Sequence, residues 1–214
     1  MKVAIIGQGG HSKVIRDIIT AKRGIEIVGY FDDKFDLASV KQGIYYGPLS
    51  FAVRLREQVK NLKFIIAIGN NRVRKIIVEK LNFSDEDYAV LIHPSAVISL
   101  SAKIGNGSVI MANAVVNADA DIRKHTIINS GSVIEHDTTV GDYAHISPKA
   151  TLTGGVIVEE GSHVGAGATL IPQVIVGKWS VIGAGATVIR DIPSNCTAVG
   201  TPAVVKFKNY QEVE

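Results

Sequence analysis

From Ile92 onward, every sixth residue is aliphatic: Ile92, Ile98, Ile104, Ile110, Val116, Ile122, Ile128, Ile134, Val140, Ile146, Leu152, Val158, Val164, Leu170, Val176, Ile182 and Val188. These seventeen positions keep register with no insertion or deletion. Four residues after each comes a mostly small residue, such as Ala96, Ser108, Ala114, Thr126, Ser162 or Ala186, with Val156, Val174 and Ile192 larger. Helices repeat at about 3.6 residues and strands at about 2, so an unbroken period of six marks a structural repeat. A short strand and a turn in each hexad make one wall of a triangular prism. Three hexads make a coil, and coils stack at strand spacing, about 4.8 Å. The aliphatic residue fills the prism and the small one fits near the corner. Gly and Asn at corners such as Gly105-Asn106-Gly107 and Gly154-Gly155 are expected to supply the left-handed turns.

The hexads resemble the hexapeptide-repeat family of left-handed parallel β-helices. The left hand is what that resemblance implies, and it is an exception to the usual right-handed crossover.

The totals narrow the function. With 46% hydrophobic and 20% charged residues, the chain can bury a real core. A net charge of +3 is too weak to argue for nucleic acid. No apolar run reaches the roughly 18 residues that span a bilayer, and the first residues read as a strand rather than a signal peptide. The one cysteine, Cys196, permits no intrachain disulfide, which fits a cytoplasmic protein.

Ahead of the hexads, apolar runs alternate with amphipathic ones. Lys2–Gly7 reads as a buried strand, His11–Lys22 as a helix, Ile25–Phe31 as a strand, Phe51–Leu62 as a helix, Phe64–Gly69 as a strand and Asn71–Leu81 as a basic helix. Such alternation implies βαβ units around a parallel sheet. Residues 1–90 are therefore expected to form a Rossmann-like domain that packs closely on the prism. The prism covers 91–193, and 194–214 are read as a C-terminal polar tail. The turn Gly7-Gln8-Gly9-Gly10-His11-Ser12-Lys13 lets backbone and a helix N-terminus approach phosphate. It matches the dinucleotide fingerprint only in part, because Ser12 holds the third glycine place. Asp32 and Asp33 end one strand and Gly69-Asn70 end another, at the sheet edge where open α/β folds bind ligands.

In the prism, histidines carry the chemistry because they titrate near neutrality. His136 stands at a corner with Glu135 and Asp137 beside it, and either carboxylate could orient the ring. His145 and His163 differ by one coil and should stack. His136 and His145 differ by half a coil, so they can share a site only across a subunit interface. His125 and His163 are read as solvated wall residues.

The whole chain resembles the nucleotide-sugar acetyltransferases of bacterial glycan synthesis. These include UDP-4-amino-sugar N-acetyltransferases of the bacillosamine pathway and sialic-acid O-acetyltransferase-like proteins. The resemblance rests on Gly7–Lys13, the Phe31-Asp32-Asp33 run, Ala67–Asn70, His93–Ala96, Ile128–Asp137 and Gly200–Ala203. It implies acetyl-CoA as co-substrate, a UDP-linked amino sugar as acceptor, a homotrimer with sites between prisms, and no metal. It implies His136 as general base supported by Asp137, with Asn129 near the acceptor sugar. His145 from an adjoining subunit would contact acetyl-CoA, and Gly154, Ala166 and Ala184 would line the pantetheine groove. Gly9, Gly10 and His11 would hold the phosphates, with Asp32 and Asp33 beside the uracil and Gly69 and Asn70 completing the pocket. Three other readings compete: O-acetylation of a sugar hydroxyl, a zinc lyase built on three histidines, and a non-catalytic prism. The last would show flat ranks of threonine, which the sequence is read as lacking.

Overall fold

The computed structural model describes residues 1–208. The parallel sheet of the first domain holds β1 (Lys2–Ile6), β2 (Glu26–Phe31), β3 (Ser39–Lys41), β4 (Ile44–Gly47) and β5 (Leu62–Ile66) in the order β3-β4-β2-β1-β5, with only β3 antiparallel. The helices are α1 (Gly10–Ala21), α2 (Leu49–Gln58) and α3 (Asn71–Leu81). The expected α3 is found with its bounds intact. α2 stops short of the expected Leu62, because Asn61 turns left-handed at φ 58° and Leu62 already starts β5. The β3–β4 hairpin was not expected. Its strands are short and largely solvated, so they carry little apolar periodicity.

The prism has three walls of parallel two-residue strands. The first wall runs through Leu91, Val109, Ile127, His145, His163 and Val181. The second runs through Val97, Val115, Val133, Thr151, Thr169 and Thr187. The third runs through Lys103, Asp121, Thr139, Ile157 and Ile175. The aliphatic series forms one continuous core, fully buried from Ile110 to Val188, with Ile92, Ile98 and Ile104 partly buried at the open end. At about 25 cal/mol per Å² of apolar surface, this repeated burial is the main source of prism stability.

The corners depart from expectation. A left-handed residue recurs every six positions from Gly107 to Gly185; six are glycines and the other eight include Asp119, His125, Asp137, Tyr143 and Trp179. A non-glycine residue in that region costs about 1–2 kcal/mol, so the corners are held by the coils stacked around them. Thr151, Thr169 and Thr187 also stack in register, so the second wall does carry a short rank of threonines. The segment read as a tail forms a hairpin instead. Cys196–Val199 extends the first wall and pairs antiparallel with Val204–Lys208; residues 209–214 of the expected tail lie outside the described residues.

The two domains share a core. Val3, Ile5 and Ile65 of the sheet, Ile15, Ile18 and Ile19 of α1, and Leu91, Val109, Met111 and Ile127 of the first wall form one buried cluster. The opposite sheet face packs on α2 and the end of α3. The first wall is thus the covered wall. Among the described residues, no helix is long and apolar enough to cross a membrane.

Candidate active site

His136 stands at the corner between the second and third walls, opposite the covered one. Its side chain is 63% exposed, and Nδ1 lies 2.7 Å from Asp137 Oδ2. Of the two flanking carboxylates it is therefore Asp137 that touches the ring, from a left-handed corner at φ 59°. Asp137's hydrogen bond is the largest cause raising the His136 pKa above its ordinary value. The bond keeps the proton on Nδ1 and leaves the Nε2 lone pair without a hydrogen-bond partner among the described residues. One coil on, Gly154 sits under the ring: a Cβ there would stand 2.6 Å from His136 Cε1 and Nε2. Gly155 N–H donates to the His136 carbonyl at 2.9 Å and fixes the corner. Ala166 and Ala184, also expected in the groove, stack on a different corner, between the first and second walls.

The second group of candidates gathers on the far side of the prism. A cavity of about 300 Å³ is lined by Gly7, Gln8, Gly9, Gly10, His11, Asp32, Asp33 and Gly69, with Leu49 and Ile77 as apolar walls. The three converging loops therefore do build one pocket. Its carboxylates are partly committed already. Asp32 accepts from the N–H groups of Gln8 at 2.7 Å and Lys34 at 3.1 Å. Asp33 accepts from Leu49 N–H at 3.0 Å and Lys80 Nζ at 3.2 Å. The Leu49 bond is the largest influence lowering the Asp33 pKa. Asn70 caps α3 by accepting from Val73 N–H at 3.1 Å.

His145 is not on an open wall. Burial pushes its pKa down to about 3, with His163, Arg74 and His11 adding to that effect while a backbone hydrogen bond with Gly69 opposes it. Its Nε2 lies 3.1 Å from Asn129 Nδ2, and Asn129 Oδ1 accepts from Ser130 N–H at 2.8 Å. A neutral His145 thus accepts from Asn129 and uses its other nitrogen toward Gly69. It links the first-domain pocket to the prism. His163 stacks on it at 4.7 Å and 3°. The solvated reading of His163 and His125 does not hold. His163 contacts Ser147 Oγ at 2.7 Å. His125 is 2% exposed, wedged between Tyr88 and Tyr143. The first domain covers this wall, which the hexad pattern of one wall cannot reveal. His136 stands on the corner opposite His145 and His163, so the three histidines of a zinc-lyase reading do not meet within one chain.

Arg74 joins the two halves and was missed in the sequence, where it is one cation in a basic helix. It is 1% exposed. Nε donates to His125 O at 2.8 Å, Nη1 to Ile68 O at 2.9 Å, and Nη2 to Asn71 Oδ1 at 3.0 Å and Tyr143 O at 2.6 Å. Among the described residues no carboxylate pairs with it, and burial lowers its pKa to about 10. Its charge depresses the pKa values of His11, His125, His145 and His163, in each case second to burial or further behind it. Asn71 adds bonds to Gly161 O at 3.0 Å and Ser162 O at 3.2 Å, Arg72 lies 4.7 Å over the Trp179 ring, and Lys75 pairs with Glu160 at 2.8 Å.

Comparison with known proteins agrees with this two-part layout. The family described as PglD N-terminal domain matches residues 2–81. The family described as bacterial transferase hexapeptide (six repeats) matches 101–135, 119–154 and 155–190. The crystal structure of PerB from Caulobacter crescentus in complex with CoA and GDP-perosamine is 37% identical, covers 97% of this chain and 98% of that one, and superposes with a TM-score of 0.86. The acetyltransferase domain of PglB from Neisseria gonorrhoeae, in complex with acetyl coenzyme A, is 38% identical over 96% of this chain and 98% of that one, with a TM-score of 0.84. A UDP-N-acetylbacillosamine N-acetyltransferase from Bacillus subtilis is 51% identical over 110 residues; the match spans about half of that relative, 51% of its length.

Proposed function

The chain belongs to the hexapeptide-repeat nucleotide-sugar N-acetyltransferases that carry a PglD-type N-terminal domain, and on that footing we propose that it transfers the acetyl group of acetyl-CoA to the 4-amino group of a UDP-linked amino sugar. The observation that carries this reading is His136: an exposed imidazole held on Nδ1 by Asp137, over a glycine, with Nε2 unpartnered among the described residues. The similar proteins named for bacillosamine and perosamine acetylation, and the CoA compounds bound in two of the solved structures, support the substrate classes.

The acceptor amine attacks the thioester carbonyl and His136 Nε2 takes its proton. A C–N bond forms, the C–S bond breaks, and the proton passes to the departing thiolate. Asp137 holds the tautomer and stabilises the imidazolium. The N–H of Gly154 has no partner among the described residues and is our candidate donor to the oxyanion. No covalent intermediate is required.

The nucleotide sugar occupies the cavity beside Asp32, Asp33, Gly69 and His11. That cavity and His136 lie on opposite sides of one prism, so His136 of one copy serves the cavity of another. A homotrimer of prisms provides that arrangement. In it Asn129 and His145 belong to the acceptor side, and Gly154, Ala166 and Ala184, from corners of facing copies, line the CoA groove.

The test is CoA release measured against UDP- and GDP-linked 4-amino sugars and their 4-hydroxy counterparts. Turnover with a UDP-amino sugar is expected. Turnover confined to hydroxyl acceptors would replace N-acetylation by O-acetylation, and turnover confined to GDP-sugars would overturn the UDP assignment. Mixing His136→Ala chains with chains mutated at Asp32 should restore activity above either alone, because the two lesions fall in different copies' half-sites.

A further inference from the structure

The cavity assigned to the nucleotide sugar is short of positive charge. Its ionisable lining residues are His11, Asp32 and Asp33. His11 is neutral near pH 7, since burial and then Arg74 lower its pKa to about 4. Arg74 has its donors committed to carbonyl and amide oxygens, and Lys80 is paired with Asp33. A diphosphate placed there would meet carboxylates and no free cation.

A second cavity, of about 320 Å³, lies along the neighbouring flank of α1 and shares Gln8 with the first. It is lined by Lys13 and Arg16 from α1 and by Tyr30 and Tyr46 from β2 and β4. Neither cation forms an ion pair among the described residues. The Arg16 charge offsets part of the burial that raises the Tyr30 pKa, and the two tyrosine rings stack at 5.5 Å and 20°. Between the cavities runs the Gly9-Gly10 turn. No side chain caps α1 there, and the positions where Cβ atoms would stand have no atom within 4 Å. The free N–H groups of a helix start favour anions.

We propose that Lys13 and Arg16, in this second cavity, form the anion subsite that carries the diphosphate of the nucleotide sugar. The proposal rests on the acceptor assignment above. The nucleoside lies against Asp32, Leu49 and Ile77, and the diphosphate crosses the Gly9-Gly10 turn at Gln8 and is neutralised by the two cations. Arg16, whose planar guanidinium lines the cavity with Tyr30, gives direction to the contact, while Lys13 acts as a point charge.

Calorimetric titration of UDP, GDP and uridine into the full chain and into the Lys13→Gln/Arg16→Gln variant tests this. Each charge-assisted bond contributes enough that the variant should bind UDP at least about tenfold more weakly, while its uridine affinity is unchanged. The salt dependence of UDP binding should flatten as well, and Arg16→Lys should lose only a few-fold. Acetyl-CoA binding and thermal unfolding report that the variants are folded. UDP affinity within twofold of wild type in the double variant overturns the subsite and leaves the functional reading standing. A wild-type chain that binds neither nucleotide overturns both.

Discussion

The two corners and walls that carry histidine show one residue type in opposite physical states. His136 is exposed, paired with a carboxylate, and has its pKa raised. His11, His125, His145 and His163 are shielded at the domain junction around Arg74, and all four pKa values are lowered. A group that must take up a proton benefits from the first environment. A group that must keep one tautomer and one hydrogen-bond pattern benefits from the second. The contrast separates the chemistry from the frame that positions the acceptor.

The largest test of that contrast is His136→Ala. Loss of a general base should lower the turnover number by about 10²–10⁴-fold, with acetyl-CoA binding retained; near-normal turnover in a steady-state assay would remove His136 from its role. Next is Arg74→Gln, which leaves buried carbonyls unsatisfied. Denaturant unfolding should show a loss of about 3 kcal/mol, and a loss below about 1 kcal/mol would mean that the junction tolerates its absence.

pH separates the two environments by sign. The four junction histidines have folded pKa values below the ordinary 6.5, so below pH 6.5 the unfolded chain binds protons that the folded chain does not. Stability should therefore fall from about pH 6.5 down to about 4 for His11 and His125 and about 3 for His145. The slope is about 1.4 kcal/mol per pH unit for each, measured by denaturation across pH. For His136 the raised pKa sets the acid limb of kcat/KM above 6.5. Asp137→Asn removes the group that raises it, so that limb should move to lower pH; an unmoved limb would uncouple Asp137 from the base. The smallest effect is expected from Gly154→Ala. The new Cβ displaces an exposed ring that can swing aside, so turnover should drop several-fold with the unfolding midpoint unchanged.

The sequence made the prism legible because its periodicity is local: one aliphatic residue per hexad reports one core position. α3 and the glycine turn were legible for the same reason. What the hexads could not show is which wall the other domain covers, since each wall repeats in the same way. His125 and His163 were therefore misplaced toward solvent. Arg74 was illegible because all its partners but Asn71 are main-chain oxygens, up to seventy residues away, which leave no mark in the sequence. The Lys13–Arg16 cavity was hidden because Tyr46 belongs to a hairpin with little periodicity.

α3 has a mechanical consequence beyond positioning. Coils in a solenoid touch only their neighbours, so disorder at one end need not be felt far along it. Asn71, Arg72 and Arg74 together grip corner residues His125, Tyr143, Gly161 and Trp179, one from each of four successive coils. The helix is a splint laid across the stack. It ties those coils into a single unfolding unit with the first domain, to which the coil at the open end is joined separately through Leu91 and Val109.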